Sequence, residues 1–240
     1  MRKNPGLSST AVITLALVAV AAGWIAGTFF PIPSIKGEAA PLSVTALPAS
    51  TAAIPSLLSA VPDVRQSTGY TCGAAVLQAV LAYWGTDERE DRLVARLHST
   101  PEAGTHPLDI VRVARDFGLT ADLREGLELA DLEAALASRT TVIVDLQAWR
   151  SSADRPWAET WDDGHYMVLL GADRDNLYFE DPSLLGTRGT IPRSEFLDRW
   201  HDYEGDPPLD PTDRKYVHMA IFINGSRPAS PSPFSRVYLP

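Results

Sequence analysis

Residues 66–85 read QSTGYTCGAAVLQAVLAYWG, and the part from Cys72 onward decides the first element of the fold. Apolar residues recur at Ala75, Val76, Ala79, Val80 and Tyr83, which form one face of an α-helix. Leu77, Leu81 and Trp84 fill a second face, so the helix is predicted to be buried on most sides. Gly85 is its stop signal. Cys72 therefore opens a helix, and it is the only cysteine in the chain. No disulfide can form within the chain, so the fold has to stand on its core. A single thiol is either an inert core residue or a functional group. As a nucleophile it must be a thiolate, and a free pKa near ~8.5 leaves little of it ionised at neutral pH. Unpaired N–H groups at a helix start would lower that value. Gly73 and the two alanines after it are expected to leave room for a substrate chain to approach.

Further along, helices are expected at 88–97, 107–117, where Pro107 suits a first turn, and 130–137. The character then changes. The β-branched stretch 141–146 (TVIVDL) reads as a buried strand. Further strands are expected at 166–170 (YMVLL), 176–179 and 217–223, with a short helix at 194–200. Helices first and antiparallel strands afterwards indicate an α+β domain, with helices packed against an antiparallel sheet.

A thiol nucleophile needs a base. Of the five histidines, His165 stands out in DDGHYMVLLG (162–171), at the mouth of an apolar strand. Asp181 follows in YFEDPS (178–183). The intervening GADRDN (171–176) reads as a hairpin turn, which returns Asp181 to the neighbourhood of His165, where it can orient the ring and support its charge. Upstream of Cys72, the Gln66 side-chain amide is a candidate to join the Cys72 backbone N–H in binding an oxyanion.

The N-terminal segment has a different logic. Arg2 and Lys3 precede twenty uncharged, largely apolar residues, 11–30, enough for a helix to span roughly 30 Å of hydrocarbon. Such a segment is a transmembrane anchor or, if cut near Ala19–Ala22 or Ala39–Ala40, a signal peptide. The early positive charges keep residues 1–10 in the cytoplasm and send the rest outward. The expected localisation is the outer face of the cytoplasmic membrane, or secreted or periplasmic after cleavage. Residues 31–60 are rich in Pro, Ser and Ala and read as a linker, 61–223 as the compact domain, and 224–240 as a Pro/Ser-rich tail. The net charge of −9 argues against a nucleic-acid partner, because phosphate binding needs a basic face.

Gln-x5-Cys-Gly-x-Ala at a helix start, Gly-His-Tyr-x-Val-Leu-x-Gly, and a strand ending in Asp-Pro together resemble the bacterial C39 family of papain-like cysteine peptidases. The resemblance runs over 61–222 and includes the Tyr-Trp-Gly close of the first helix at Tyr83, Trp84 and Gly85. It implies a papain-like fold, Cys72 as nucleophile, His165 as base and acid, Asp181 as orienter and Gln66 in the oxyanion hole. It implies no cofactor and no metal, and a peptide or protein as substrate. Members known for cutting double-glycine leaders are fused to ABC transporters and work in the cytoplasm. Here no Gly-x4-Gly-Lys-Ser/Thr loop occurs and the expected topology is external, so the leader-cleaving assignment does not carry over.

Other classes are thinner. There is no His-Glu-x-x-His metal motif and no Gly-x-Ser-x-Gly elbow. Acyl transfer to an amine, as in a transpeptidase or amidase, uses the same residues. A non-catalytic peptide-binding module is the remaining alternative. The three tryptophans of 148–163 read equally as a cleft-covering loop or as indoles packed on the surface.

Overall fold

Every residue of Thr141–Gln147 (β2) is buried, so both faces of this strand are covered. In this computed structural model, which describes residues 60–150, 152–205, 208–226 and 228, β2 lies inside a six-stranded sheet. Its neighbours are Gly164–Ala172 (β3) on one side and Ala220–Asn224 (β8) on the other, both antiparallel. Asn176–Glu180 (β4) and Gly189–Pro192 (β5) extend the sheet beyond β3, and Thr120–Arg124 (β1) closes the opposite edge against β8. His201–Glu204 (β6) and Arg214–Val217 (β7) form a separate two-stranded sheet.

Three helices precede the main strands: Cys72–Tyr83 (α1), Glu90–Leu97 (α2) and Pro107–Asp116 (α3). They pack on one another, with α1 against β3 and α3 against β1. Leu129–Ala137 (α4) covers β2 and β3, and Arg193–Arg199 (α5) covers β4 and β5. The α+β arrangement expected from the sequence is thus present, and helix α1 is buried along ten of its twelve residues. Trp84 anchors its far end, since the indole N–H donates to Thr141 Oγ1 (3.0 Å), which itself donates to the Ile223 carbonyl (2.7 Å).

Two expectations require correction. The stretch 217–223 is not one strand: β7 ends at Val217 and β8 begins at Ala220 in a different sheet. His218 between them adopts φ 51°, a left-handed conformation that interrupts an extended run. The room expected beside Gly73 is also filled. A Cβ there would meet the Thr105 side chain at 2.6 Å, and Ala74 and Ala75 are wholly buried, so these small residues serve helix packing. The expected span at 11–30, the linker at 31–60 except its last residue, and residues 227 and 229–240 of the expected tail at 224–240 lie outside the described residues. Among those described, no helix is long and apolar enough to cross a membrane.

Leu77, fully buried in α1, and Leu185, 73% exposed, provide a matched test. Leu77→Ala is expected to lower unfolding free energy by about 2–5 kcal/mol, and Leu185→Ala by no more than about 0.5 kcal/mol, in urea titrations.

Candidate active site

Helix α1 begins at Cys72 because residues 68–71 fold into a turn immediately before it. Thr71 Oγ1 and the Thr68 backbone bond each other at 3.2 Å, so the Thr71 side chain stabilises this turn and does not cap the helix. The first-turn N–H groups are left without a side-chain cap, and the positive end of the helix faces the thiol. The Gly73 N–H is directed at the Cys72 sulfur.

His165 is the second residue of β3, and α1 packs on that strand, so the start of the helix and the start of the strand converge. Val168 pairs with Glu180 across β3 and β4. Continuing that register sets Asp181 opposite Met167, on the same face as His165 and two residues along. The result is a 2.8 Å hydrogen bond between His165 Nε2 and Asp181 Oδ1. That oxygen also accepts from the Ser183 N–H (2.8 Å) and hydroxyl (2.7 Å), which fixes its position. With Nε2 engaged by Asp181, Nδ1 is the ring nitrogen left for Cys72, whose thiol lies within hydrogen-bonding reach of the imidazole.

All three groups are buried: Cys72 is 8% exposed, His165 2% and Asp181 6%. Burial opposes the thiolate, but the hydrogen bond and charge of His165, with the Tyr166 and Gly73 backbone N–H groups, outweigh it and lower the Cys72 pKa. Burial likewise opposes the imidazolium, but Asp181 and the thiolate outweigh it and push His165 up to about 9. Desolvation also works against the Asp181 carboxylate, yet His165 and Ser183 hold its pKa below the ordinary value. Each charge exists because the next one compensates it.

Gln66 stands apart from this line. Its backbone N–H donates to the Pro182 carbonyl (2.9 Å), which ties the segment before Cys72 to the residue after Asp181. Its side-chain Nε2 donates to Thr68 O (2.7 Å), and Oε1 is buried without a hydrogen-bond partner. The same segment is clipped at Val64, whose N–H donates to the buried Glu180 Oε1 (2.8 Å), and Glu180 is ion-paired with Arg188. The structure therefore brings Cys72, His165 and Asp181 together, and keeps the Gln66 amide within its own turn.

The three tryptophans of 148–163 divide between the two readings the sequence left open. Trp149, half exposed, places its ring 5.0 Å from that of His165 and shields the imidazole from water. Trp157 packs on the domain beneath Arg199, 3.9 Å from guanidinium to ring, whereas Trp161 packs against His201 and also lines the cavity beside Cys72. A cavity of about 400 Å³ opens on Cys72, with Asp145, Asp202 and Tyr166 in its wall. The one local signal for Asp145 was a carboxylate within an otherwise apolar buried strand.

The Peptidase_C39 like family model matches residues 58–207. An uncharacterised protein of Methanothermobacter marburgensis is 32% identical over 122 residues, covering 50% of this chain and 71% of that protein. A C39-like peptidase from Bacillus anthracis superposes with a TM-score of 0.52 at 15% identity, covering 71% of this chain and 98% of that one. The peptidase domain of Streptococcus ComA, a bifunctional ABC transporter of a quorum-sensing pathway, gives a TM-score of 0.49 at 20% identity, over 67% of this chain and 95% of that one. At such identities the Bacillus structure speaks for the fold alone.

The thiolate–imidazolium pair should persist from the lowered Cys72 pKa up to about 9, where His165 loses its proton. Alkylation of Cys72 by iodoacetamide, followed by mass, is expected to have its midpoint below the ~8.5 of a free thiol. In His165→Ala the burial penalty remains without its compensation, and the midpoint should rise above ~8.5. Equal midpoints would show that no ion pair forms.

Proposed function

Because this chain belongs to the Peptidase_C39 like family, we propose that it is a cysteine peptidase that cleaves peptide bonds through an acyl-enzyme. The observation that carries the reading is the 2.8 Å bond of His165 Nε2 to Asp181, in a site whose other ring nitrogen is left for Cys72. The Cys72 thiolate attacks the scissile carbonyl carbon, and the carbonyl electron pair moves onto oxygen. As the C–N bond breaks, His165 gives its proton to the leaving amine and becomes neutral. Water then attacks the thioester, passing a proton to His165. The C–S bond breaks, and the product acid leaves behind the original thiolate–imidazolium pair. Asp181 holds the ring in orientation and stabilises it each time it is protonated.

The oxyanion of each tetrahedral intermediate needs donors. The helix-start N–H groups at Cys72 and Gly73 are suitably located, and the Gln66 amide can contribute by releasing Thr68. The buried Oε1 of Gln66 has no hydrogen bond to lose, so rotation gives up only the Nε2 bond to Thr68. The same proposal puts the domain on the outer face of a membrane, on the strength of Arg2 and Lys3 ahead of residues 11–30. Its substrate is then an exported or membrane-proximal peptide or protein.

The test is cleavage of a mixed peptide library, read by mass spectrometry, together with the mass of any acyl adduct on Cys72. Cys72→Ala should abolish both cleavage and adduct. Gln66→Ala should lower kcat about a hundredfold with KM little changed, the signature of a lost transition-state donor. Acyl transfer to an added amine in preference to water would make the protein a transpeptidase or amidase. A reactive Cys72 that yields neither product nor adduct would leave a peptide-binding module.

A further inference from the structure

The cavity beside Cys72 is lined by six carboxylates, Glu102, Asp145, Asp162, Asp163, Asp202 and Glu204, and by no lysine or arginine. Two of those at its rim have partners. Glu204 pairs with His106 at 2.9 Å and accepts from the Tyr216 hydroxyl at 3.0 Å, and Asp162 pairs with Arg155 at 2.5 Å. The two deeper carboxylates differ. Asp145 is 4% exposed, and its Oδ1 is buried with no hydrogen-bond partner. Asp202 accepts from Gln147 Nε2 at 3.0 Å and lies so close to Gly164 that a Cβ there would meet its Oδ2. Among the described residues neither carboxylate forms an ion pair with a basic group.

Two adjacent carboxylates in a desolvated wall are unfavourable without a counter-charge. The protein supplies part of the answer by protonation. Burial, then the charges of Asp202 and Cys72, raise Asp145 well above its ordinary value, while burial pushes Asp202 up to about 6. The two carboxyl groups hydrogen-bond to each other and Asp145 also to Tyr166, yet Asp145 Oδ1 is buried without a donor and neither group has a basic partner among the described residues. A group that brings both a positive charge and several N–H donors completes the pair, and ammonium and guanidinium ions are the side-chain groups that do so.

We infer that this cavity is a substrate subsite for a cationic side chain, lysine or arginine, next to the scissile bond, with Asp145 and Asp202 as its recognition pair. The carboxylate of Asp202 supplies the charge, and Asp145 Oδ1 accepts a further N–H. Asp145 and Asp202 line the same cavity as Cys72, so a cation held there would lie beside the nucleophile. The inference rests on the peptidase reading of Cys72 and goes beyond it by naming the class of side chain recognised.

The test uses the full chain in detergent at pH 7 and three methanethiosulfonates of similar size, one carrying an ammonium group, one a sulfonate and one neutral. Glutathione provides the solution reference for each rate. A site dominated by the His165 charge alone favours the sulfonate reagent. The acidic subsite is expected to make the ammonium reagent at least tenfold faster relative to the sulfonate than it is with glutathione. Asp202→Asn should return that ratio toward the glutathione value, with each rate normalised to the neutral reagent on the same variant. Asp145→Asn should reduce it less, because burial and its neighbours' charges raise the Asp145 pKa well above the ordinary value and so weaken its negative charge. A ratio equal to that of glutathione, or one unmoved by Asp202→Asn, overturns the subsite while leaving the thiolate intact. If even the neutral reagent fails to react faster than a free thiol of ordinary pKa would, the peptidase reading fails and takes this inference with it.

Discussion

A histidine with 2% of its surface exposed can carry a proton only if opposite charge stands on both sides of it, and the arrangement of this domain follows from that constraint. Asp181 supplies one side through a 2.8 Å bond, and the Cys72 sulfur supplies the other. Each comes from a different element. The sulfur is set by the first residue of α1, the ring by the start of β3, and the carboxylate by the end of β4. Packing α1 on β3 and pairing β3 with β4 are therefore prerequisites of the charge arrangement as well as sources of core burial. The clip from Val64 to Glu180, with the Gln66–Pro182 backbone bond, holds the segment before Cys72 to the same corner.

The site uses one residue type in opposite ways. Asp181 and Asp145 are both buried aspartates within reach of Cys72 and its neighbours. Asp181 faces an imidazolium and two Ser183 donors, so it stays ionised below its ordinary value. Asp145 is desolvated and faces Asp202 and Cys72, so its pKa is raised well above the ordinary value. Environment, not side-chain chemistry, divides the two roles. The thiolate consequently has a cation on one flank and an acidic wall on the other.

The loop between β2 and β3 adds a further layer. Arg199 donates to the carbonyls of Gln147 (2.9 Å) and Ala148 (2.5 Å) and covers Trp157, which secures the base of the loop on α5. With the base secured, Trp149 projects over His165. A ring there excludes water from the imidazole–carboxylate bond and strengthens it, because the same bond is weaker in a high dielectric.

Local pattern determined much of this. The apolar repeat after Cys72 specified α1 and put the thiol at its start, because a helix can bury that spacing on one face and a strand cannot. The β-branched and apolar runs specified β2, β3 and β4, and the short turn between the last two returned Asp181 to His165. Short, polar strands such as β1 (TADLR) and β6 (HDYE) left no such mark, since their pairing depends on partners far along the chain. The split at His218 was hidden for the same reason, because an apolar run does not state which sheet each half will join. Tertiary structure alone decided that Thr105 fills the space beside Gly73, that Trp149 covers His165, and that Asp145 and Asp202 meet in one wall beside Cys72. Asp145 and Asp202 are 57 residues apart, and only the packing of β6 against β2 brings their charges together. Sequence spacing encodes contacts within a helix or a hairpin, whereas the charge lining a cleft is set by which distant surfaces the core brings to face each other.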